Sequence, residues 1–209
     1  MDATFYITAF ATLFVVIDPI GLTPIFIALT SGADAAHRRA VALRACLVAA
    51  GILALFAFLG EAVLGFIGIS MPAFRIAGGI LLFLTALDML FERRTKRRKG
   101  AADEEEHPDP SVFPIAIPLI AGPGAIATII LLMGRSQDAA QMAGVLGVAA
   151  SVLVIVLLFF LMAGVIERAL GKTGITVVTR LLGMLLAALS VQFVLDGLRD
   201  FGIATAATL

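Results

Sequence analysis

Asp18 is an acid inside an otherwise apolar run, and Pro19, Ile20 and Gly21 follow it in "FVVIDPIGLTPIFIAL". A second apolar run, "IAIPLIAGPGAIATIILLMG", is interrupted in the same way by Gly122, Pro123 and Gly124. Proline removes a backbone donor and clashes with the preceding turn, and glycine costs about 1 kcal/mol relative to alanine inside a helix. Two such breaks would free backbone groups. A half-helix restarting at "LTPIFIALT" after Gly21, with Pro24 in its first turn, exposes N–H groups and a positive dipole end. Another restarting at "AIATIILLMG" after Gly124 does the same. Such ends suit a carboxylate or another anion. The segments ending at Ile17 and Ala121 would offer carbonyls to an ammonium group or a cation. A small zwitterion carries both charges.

Two roles are open for Asp18. An acid within a membrane span acts as proton carrier, cation ligand or partner of an amine; alternatively, Asp18 caps the half-helix behind it. Thr23 and Thr128 follow the breaks and either contact a ligand or bond back to a carbonyl of their own helix. Ile20, Leu22 and Ala125 complete the stretches that would line the site.

The elements that hold these residues are membrane spans. The chain has 209 residues, of which 61% are hydrophobic and 14% charged, and its mean hydropathy is +1.08. Soluble domains average roughly 45–50% apolar and ~25% charged. Six segments reach the ~20 apolar residues that a crossing requires: about 5–29, 40–60, 72–91, 111–134, 139–166 and 175–195. The stretch "ERRTKRRKGAADEEEHPDP" separates them into halves at 1–91 and 111–209, joined by a polar linker over 92–110. Its basic part anchors topology. Arg38 and Arg39, the cations from Arg93 to Lys99, and Arg168 and Lys172 all fall in loops on one side. By the positive-inside rule that side is cytoplasmic, and both termini are periplasmic.

The halves repeat. Pro19 matches Pro123 at an offset of 104, "EAVLG" from Glu61 matches "ERALG" from Glu167 at 106, and "RIAGG" from Arg75 matches "RLLGM" from Arg180 at 105. Three spans per copy is an odd number, so the second copy must enter the membrane upside down, as in many secondary transporters. The expected fold is therefore all-α and polytopic, with two inverted three-helix repeats whose first and fourth helices are discontinuous. Arg75 and Arg180 are expected as snorkelling anchors near helix ends. Asp88, Gln192 and Asp196 either pair across helices or face a path.

Nothing in the chain suggests an enzyme. His37 and His107 sit in polar loops without spacing for metal or nucleophile chemistry, and there is no phosphate loop. No cofactor or metal is expected, and a net charge of +0 gives no argument for nucleic acid. Cys46 is expected to be a buried, inert thiol. The N-terminus lacks a basic signal-peptide region and is expected as mature sequence.

At "DPIGLTPIFIAL", "FRIAGGILLFLTALDML" and "IPLIAGPGAIATII" the chain closely resembles the MarC/SnatA family of inner-membrane proteins. The resemblance covers essentially the whole chain. It implies two inverted three-helix repeats and transport of small neutral amino acids such as glycine and alanine. The binding site would lie around Asp18, Pro19, Ile20 and Gly21 and around Gly122, Pro123, Gly124 and Ala125. Many members carry Asn after the Pro-x-Gly; Leu22 stands there in this chain, which removes an amide beside the expected site. The expected partners are the amino acid, a coupling proton or sodium ion, and the lipid bilayer. The oligomeric state is left open. An exporter of amino acids or other small metabolites is the alternative reading, and a channel or non-transporting assembly factor is the alternative of another class.

Overall fold

A computed structural model describes residues 3–91 and 109–202. The linker expected over 92–110, with His107 and the cations from Arg93 to Lys99, falls almost wholly outside the described residues. Among those described, every regular element is a helix: α1 (Ala3–Ile17), α2 (Pro19–Leu29), α3 (Ala35–Ile67), α4 (Met71–Leu90), α5 (Ser111–Ile120), α6 (Pro123–Met133), α7 (Ala139–Leu161) and α8 (Ala163–Asp200).

Local chemistry sets the ends. Asp34 caps α3 by accepting from the His37 amide at 2.7 Å, and Asp138 caps α7 by accepting from the Gln141 amide at 2.8 Å. Such caps satisfy N–H groups that a helix start leaves orphaned. Gly68 closes α3 at φ 82°, and Gly171 interrupts α8 at φ 61°, ψ 175°. The latter conformation is essentially reserved for glycine.

Long apolar helices α3, α4, α7 and the Thr173–Asp200 part of α8 are each sufficient to cross a membrane, and α1 with α2 forms a further 27-residue span. A bent pair, α5 with α6, adds a sixth candidate, its axis turning by 57° at the break. This is an integral multi-pass membrane protein. Helix lengths depart from the sequence expectation in three places. The second span is longer than 40–60, because the apolar pattern of α3 continues to Ile67. The fifth stops at Leu161. The sixth is preceded by a short helical stretch, 163–170, which Gly171 separates from the span.

The broken segments form the centre. The best apolar window of α1–α2 is 61% buried, against 28–33% for α3, α4, α7 and α8. In α6 every residue from Gly124 to Met133 except Ile126 is buried. Irregular backbone tolerates hydrocarbon badly, so it belongs inside the protein. Around this centre α4 and α8 lie antiparallel in near-backbone contact: a Cβ on Gly197 would fall 2.6 Å from Ile76 Cγ1, and one on Gly79 2.8 Å from the Ser190 carbonyl. Small residues permit this close approach in membranes.

Packing between the halves is reciprocal. The rings of Phe26 and Phe160 stack at 4.4 Å, and Tyr6 lies against Gly144, so α1–α2 runs alongside α7 in the same direction. Asp109 pairs with Arg44 near the start of α3, and Ile130 lies against Gly60 near its end, so α5–α6 runs alongside α3. The element boundaries repeat as well. α2 and α6 both have 11 residues, and Pro19, Asp34 and Ala35 correspond to Pro123, Asp138 and Ala139 at a constant offset of 104.

Candidate functional site

The first break is a single residue. Asp18 adopts the left-handed conformation (φ 57°, ψ 65°), which short polar side chains tolerate better than others. Hydrogen bonds still run on either side of it, from the Asp18 amide to the Phe14 carbonyl (2.9 Å) and from the Leu22 amide to the Asp18 carbonyl (3.0 Å). Pro19 is the first residue of α2, where a missing N–H costs nothing. The restart therefore lies at Pro19 rather than beyond Gly21, and Pro24 sits inside α2. Asp18 is 1% exposed, and its Oδ1 accepts from the Gly21 amide at 3.0 Å. The capping role is thus realised. A carboxylate already occupies the positive end of α2.

The second break spans Ala121 and Gly122, and α6 starts at Pro123 rather than beyond Gly124. Gly122 is the N-cap and supplies no side-chain hydrogen bond to the free amides of the first turn. Sterics keep it so: a Cβ there would lie 2.5 Å from the Pro118 carbonyl oxygen. The helix before this break is also irregular. α5 has the wide i→i+5 form and is interrupted at Phe113 and Ile117, each of which precedes a proline, Pro114 and Pro118. Residues before proline are pushed out of the helical region. The pair of prolines four residues apart was the available signal for this irregularity, and sequence reasoning did not use it.

The two breaks meet. A Cβ on Gly124 would lie 3.1 Å from Val16 Cγ1, 3.2 Å from Leu82 Cδ2 and 3.8 Å from Thr85 Oγ1. The start of α6 therefore packs against the end of α1, two residues before Asp18, and against the middle of α4. Thr85 is a polar neighbour that sequence reasoning left aside; its hydroxyl donates to the Leu81 carbonyl at 2.9 Å.

The other expected residues fall as follows. Pro19, Leu22 and Thr23 are buried, Ile20 and Gly21 half-buried. Gly124, Ala125 and Thr128 are buried, Gly122 half-buried and Pro123 exposed. Thr23 donates to the Pro19 carbonyl at 2.9 Å, and Thr128 to the Gly124 carbonyl at 2.8 Å. Both hydroxyls bond back within their own helix, which is the second of the two roles weighed for them. Gly21 and Gly124 do not have positive φ; their small size serves close packing. A Cβ on Gly21 would meet the Asp18 carboxylate at 2.1 Å.

Polar residues away from the breaks pair at helix ends. Arg75 pairs with Asp200, and Arg135 with Asp196 at 3.2 Å, while Gln192 donates to Asp196 at 2.8 Å. The Arg75 side chain is only 12% exposed, so it is an ion-pair partner at the junction of α4 and α8 rather than a free anchor. An apolar cavity of about 240 Å³ lies between α3, α6 and α7, lined by Leu53, Ile129 and Leu153 among others. None of the break residues lines it. Cys46 is buried in α3. Among the described residues no group of three metal-ligating side chains occurs.

Comparison with known proteins follows the whole chain. It is 38% identical over 199 residues to a UPF0056 membrane protein of Archaeoglobus fulgidus, covering 94% of this chain and 93% of the relative. It is 38% identical to UPF0056 membrane protein YvbG of Bacillus subtilis, covering 95% and 96%. UPF0056 membrane protein YhcE of Escherichia coli is 36% identical, covering 95% and 94%. No solved structure matches. Residues 3–201 match the MarC family integral membrane proteins, and the chain belongs to that family.

Proposed function

We propose that this protein is a secondary transporter of small neutral amino acids that works by alternating access. One observation carries the reading: two broken helices from different halves meet at Gly124 and Val16, one break holding a buried carboxylate and the other an uncapped helix start. The α6 amides would take the substrate carboxylate, because the α2 amides are already served by Asp18. Asp18 and the carbonyls freed around Pro19 would take the amine. Glycine and alanine fit this polarity, and the crowding around Gly124 disfavours larger side chains. The α2 cap and a charge role for Asp18 are compatible, since accepting the Gly21 amide does not neutralise the carboxylate. A proton or a sodium ion would be the coupling ion.

On this reading the halves are inverted repeats of three spans each, with α1–α2 and α5–α6 as the broken spans. The reciprocal packing and the constant offset support a two-fold relation between them. The chain would reside in the inner membrane with both termini periplasmic. Reporters fused after Leu209 and near Gly100 test that placement; activity of the Leu209 fusion inside the cell would reverse it.

Counterflow in proteoliposomes tests the function. Loaded glycine should exchange with external glycine and alanine but not with glycinamide, which lacks the carboxylate, or acetate, which lacks the amine. Exchange of acetate would remove Asp18 from recognition. Linear, unsaturable flux would indicate a channel, and no flux an assembly role.

A further inference from the structure

Two of the ion pairs described above lie on one face of the bundle. Arg75 at the start of α4 pairs with Asp200 at the end of α8, and Arg135, just after α6, pairs with Asp196 one turn earlier on α8. This face is opposite the one that carries the linker, because α4 begins at this face and ends at the linker. The α6 end is seated here as well: Gly134 lies against the Met71 side chain, with a Cβ on it 2.8 Å from Met71 Cε.

The two pairs hold different things. Arg75–Asp200 joins helices that already touch at the backbone, since Gly197 has no room for a Cβ against Ile76 and Pro72. Arg135–Asp196 joins the far end of a half-helix to that rigid pair. Gln192 orients the carboxylate by donating to its other oxygen at 2.8 Å. At the corresponding end of α2 the arrangement differs: Arg38 Nε donates to the Thr30 carbonyl at 3.2 Å, within its own half. Arg135 and Asp196 are 36% and 30% exposed, so water and salt reach the pair.

We propose that Arg135 and Asp196 form a latch that holds the end of α6 to the α4–α8 pair and closes access to the breaks from the face opposite the linker. The inference rests on the carrier reading for its purpose, but the contact and its opening are independent of any substrate. A half-exposed pair of this kind shifts a two-state equilibrium by no more than about fivefold, which suits a gate that must open in every cycle.

Cysteine labelling in nanodiscs tests it. In a Cys46→Ala background, Thr128→Cys places a thiol on α6 between the second break and the latch, and Thr23→Cys places one on α2 on the linker side. A membrane-impermeant maleimide should label the Thr128→Cys protein about three to five times faster when Asp196→Asn or Arg135→Gln is added. The swapped pair, Arg135→Asp with Asp196→Arg, should restore the slow rate. High salt should speed labelling of the latched protein and not of the Asp196→Asn variant, because screening acts only on an intact pair. Labelling of Thr23→Cys should not rise. Asp200→Asn is the control for general loosening: it should lower the thermal midpoint and leave the Thr128→Cys rate unchanged. An unchanged rate in Asp196→Asn, failure of the swap, or an equal rise in Asp200→Asn would overturn the latch. The labelling needs no substrate, so it reads the latch whether or not the wild-type protein exchanges glycine.

Discussion

The two breaks are built from similar residues and solve the same problem differently. At Asp18 one residue leaves the helical region, hydrogen bonds continue on both sides, and α1 with α2 remains one 27-residue span. At Ala121–Gly122 the axis turns by 57°, and the helix before it is irregular for most of its length. The first break carries its own anion. The second is sterically barred from having one, because the Pro118 carbonyl occupies the space that any capping side chain at position 122 would need. The two breaks therefore differ as a self-capped helix start and an open one. That asymmetry is what would let one site distinguish the two ends of a zwitterion.

The largest expected effect breaks the first half of the comparison. Gly21→Ala places a methyl group 2.1 Å from the Asp18 carboxylate oxygen, and the lost cap together with overpacking should cost about 3 kcal/mol. Unfolding in mixed micelles measures this. Adding Asp18→Ala should recover part of the loss, a non-additivity expected of groups in contact. Fully additive losses would mean that Gly21 and Asp18 are not coupled as described.

Next comes the second half. At most helix starts Ser caps as well as Gly or better. At Gly122 the expectation is the reverse, with Gly122→Ser costing about 2 kcal/mol through contact with the Pro118 carbonyl. A gain in stability would show that this end accepts a cap after all.

Charge and capping separate at Asp18. Asn caps nearly as well as Asp and also tolerates the left-handed conformation, so Asp18→Asn should stay within about 0.5 kcal/mol of the wild-type stability. Its glycine counterflow should fall at least tenfold, or about 1.4 kcal/mol of binding. Wild-type counterflow would reduce Asp18 to a structural cap.

Smaller effects sharpen the picture. Gly124→Ala meets side-chain carbons at 3.1 and 3.2 Å that can give way, so it should cost only about 1 kcal/mol, well below Gly21→Ala. Gly51→Ala, in open space on α3, should be neutral or stabilising by up to about 1 kcal/mol through helix propensity. If Gly124→Ala were as neutral as Gly51→Ala, the contact between the two breaks would be wrong.

Sequence alone was sufficient for the class of molecule, for most of the apolar segments and for the position of both breaks. Each of these depends on local quantities: apolar run length against bilayer thickness, and the intolerance of a helix interior for Pro and Gly. Correspondence between the halves was legible only as matches offset by 104, 105 and 106. The constant offset of 104 came from the helix starts, where Asp34 and Asp138 each cap their own next turn. What each break became was decided by tertiary structure. Whether Asp18 would cap depended on a left-handed backbone that no residue pattern specifies. Gly21 and Gly124 looked like places for a ligand to approach, and they are places where the Asp18 carboxylate and the side chains of Val16 and Leu82 approach instead. The pairing of Arg135 with Asp196 joins residues 61 apart in the chain. Such contacts depend on how helices from the two halves pack, and a sequence read one segment at a time carries no distance between segments.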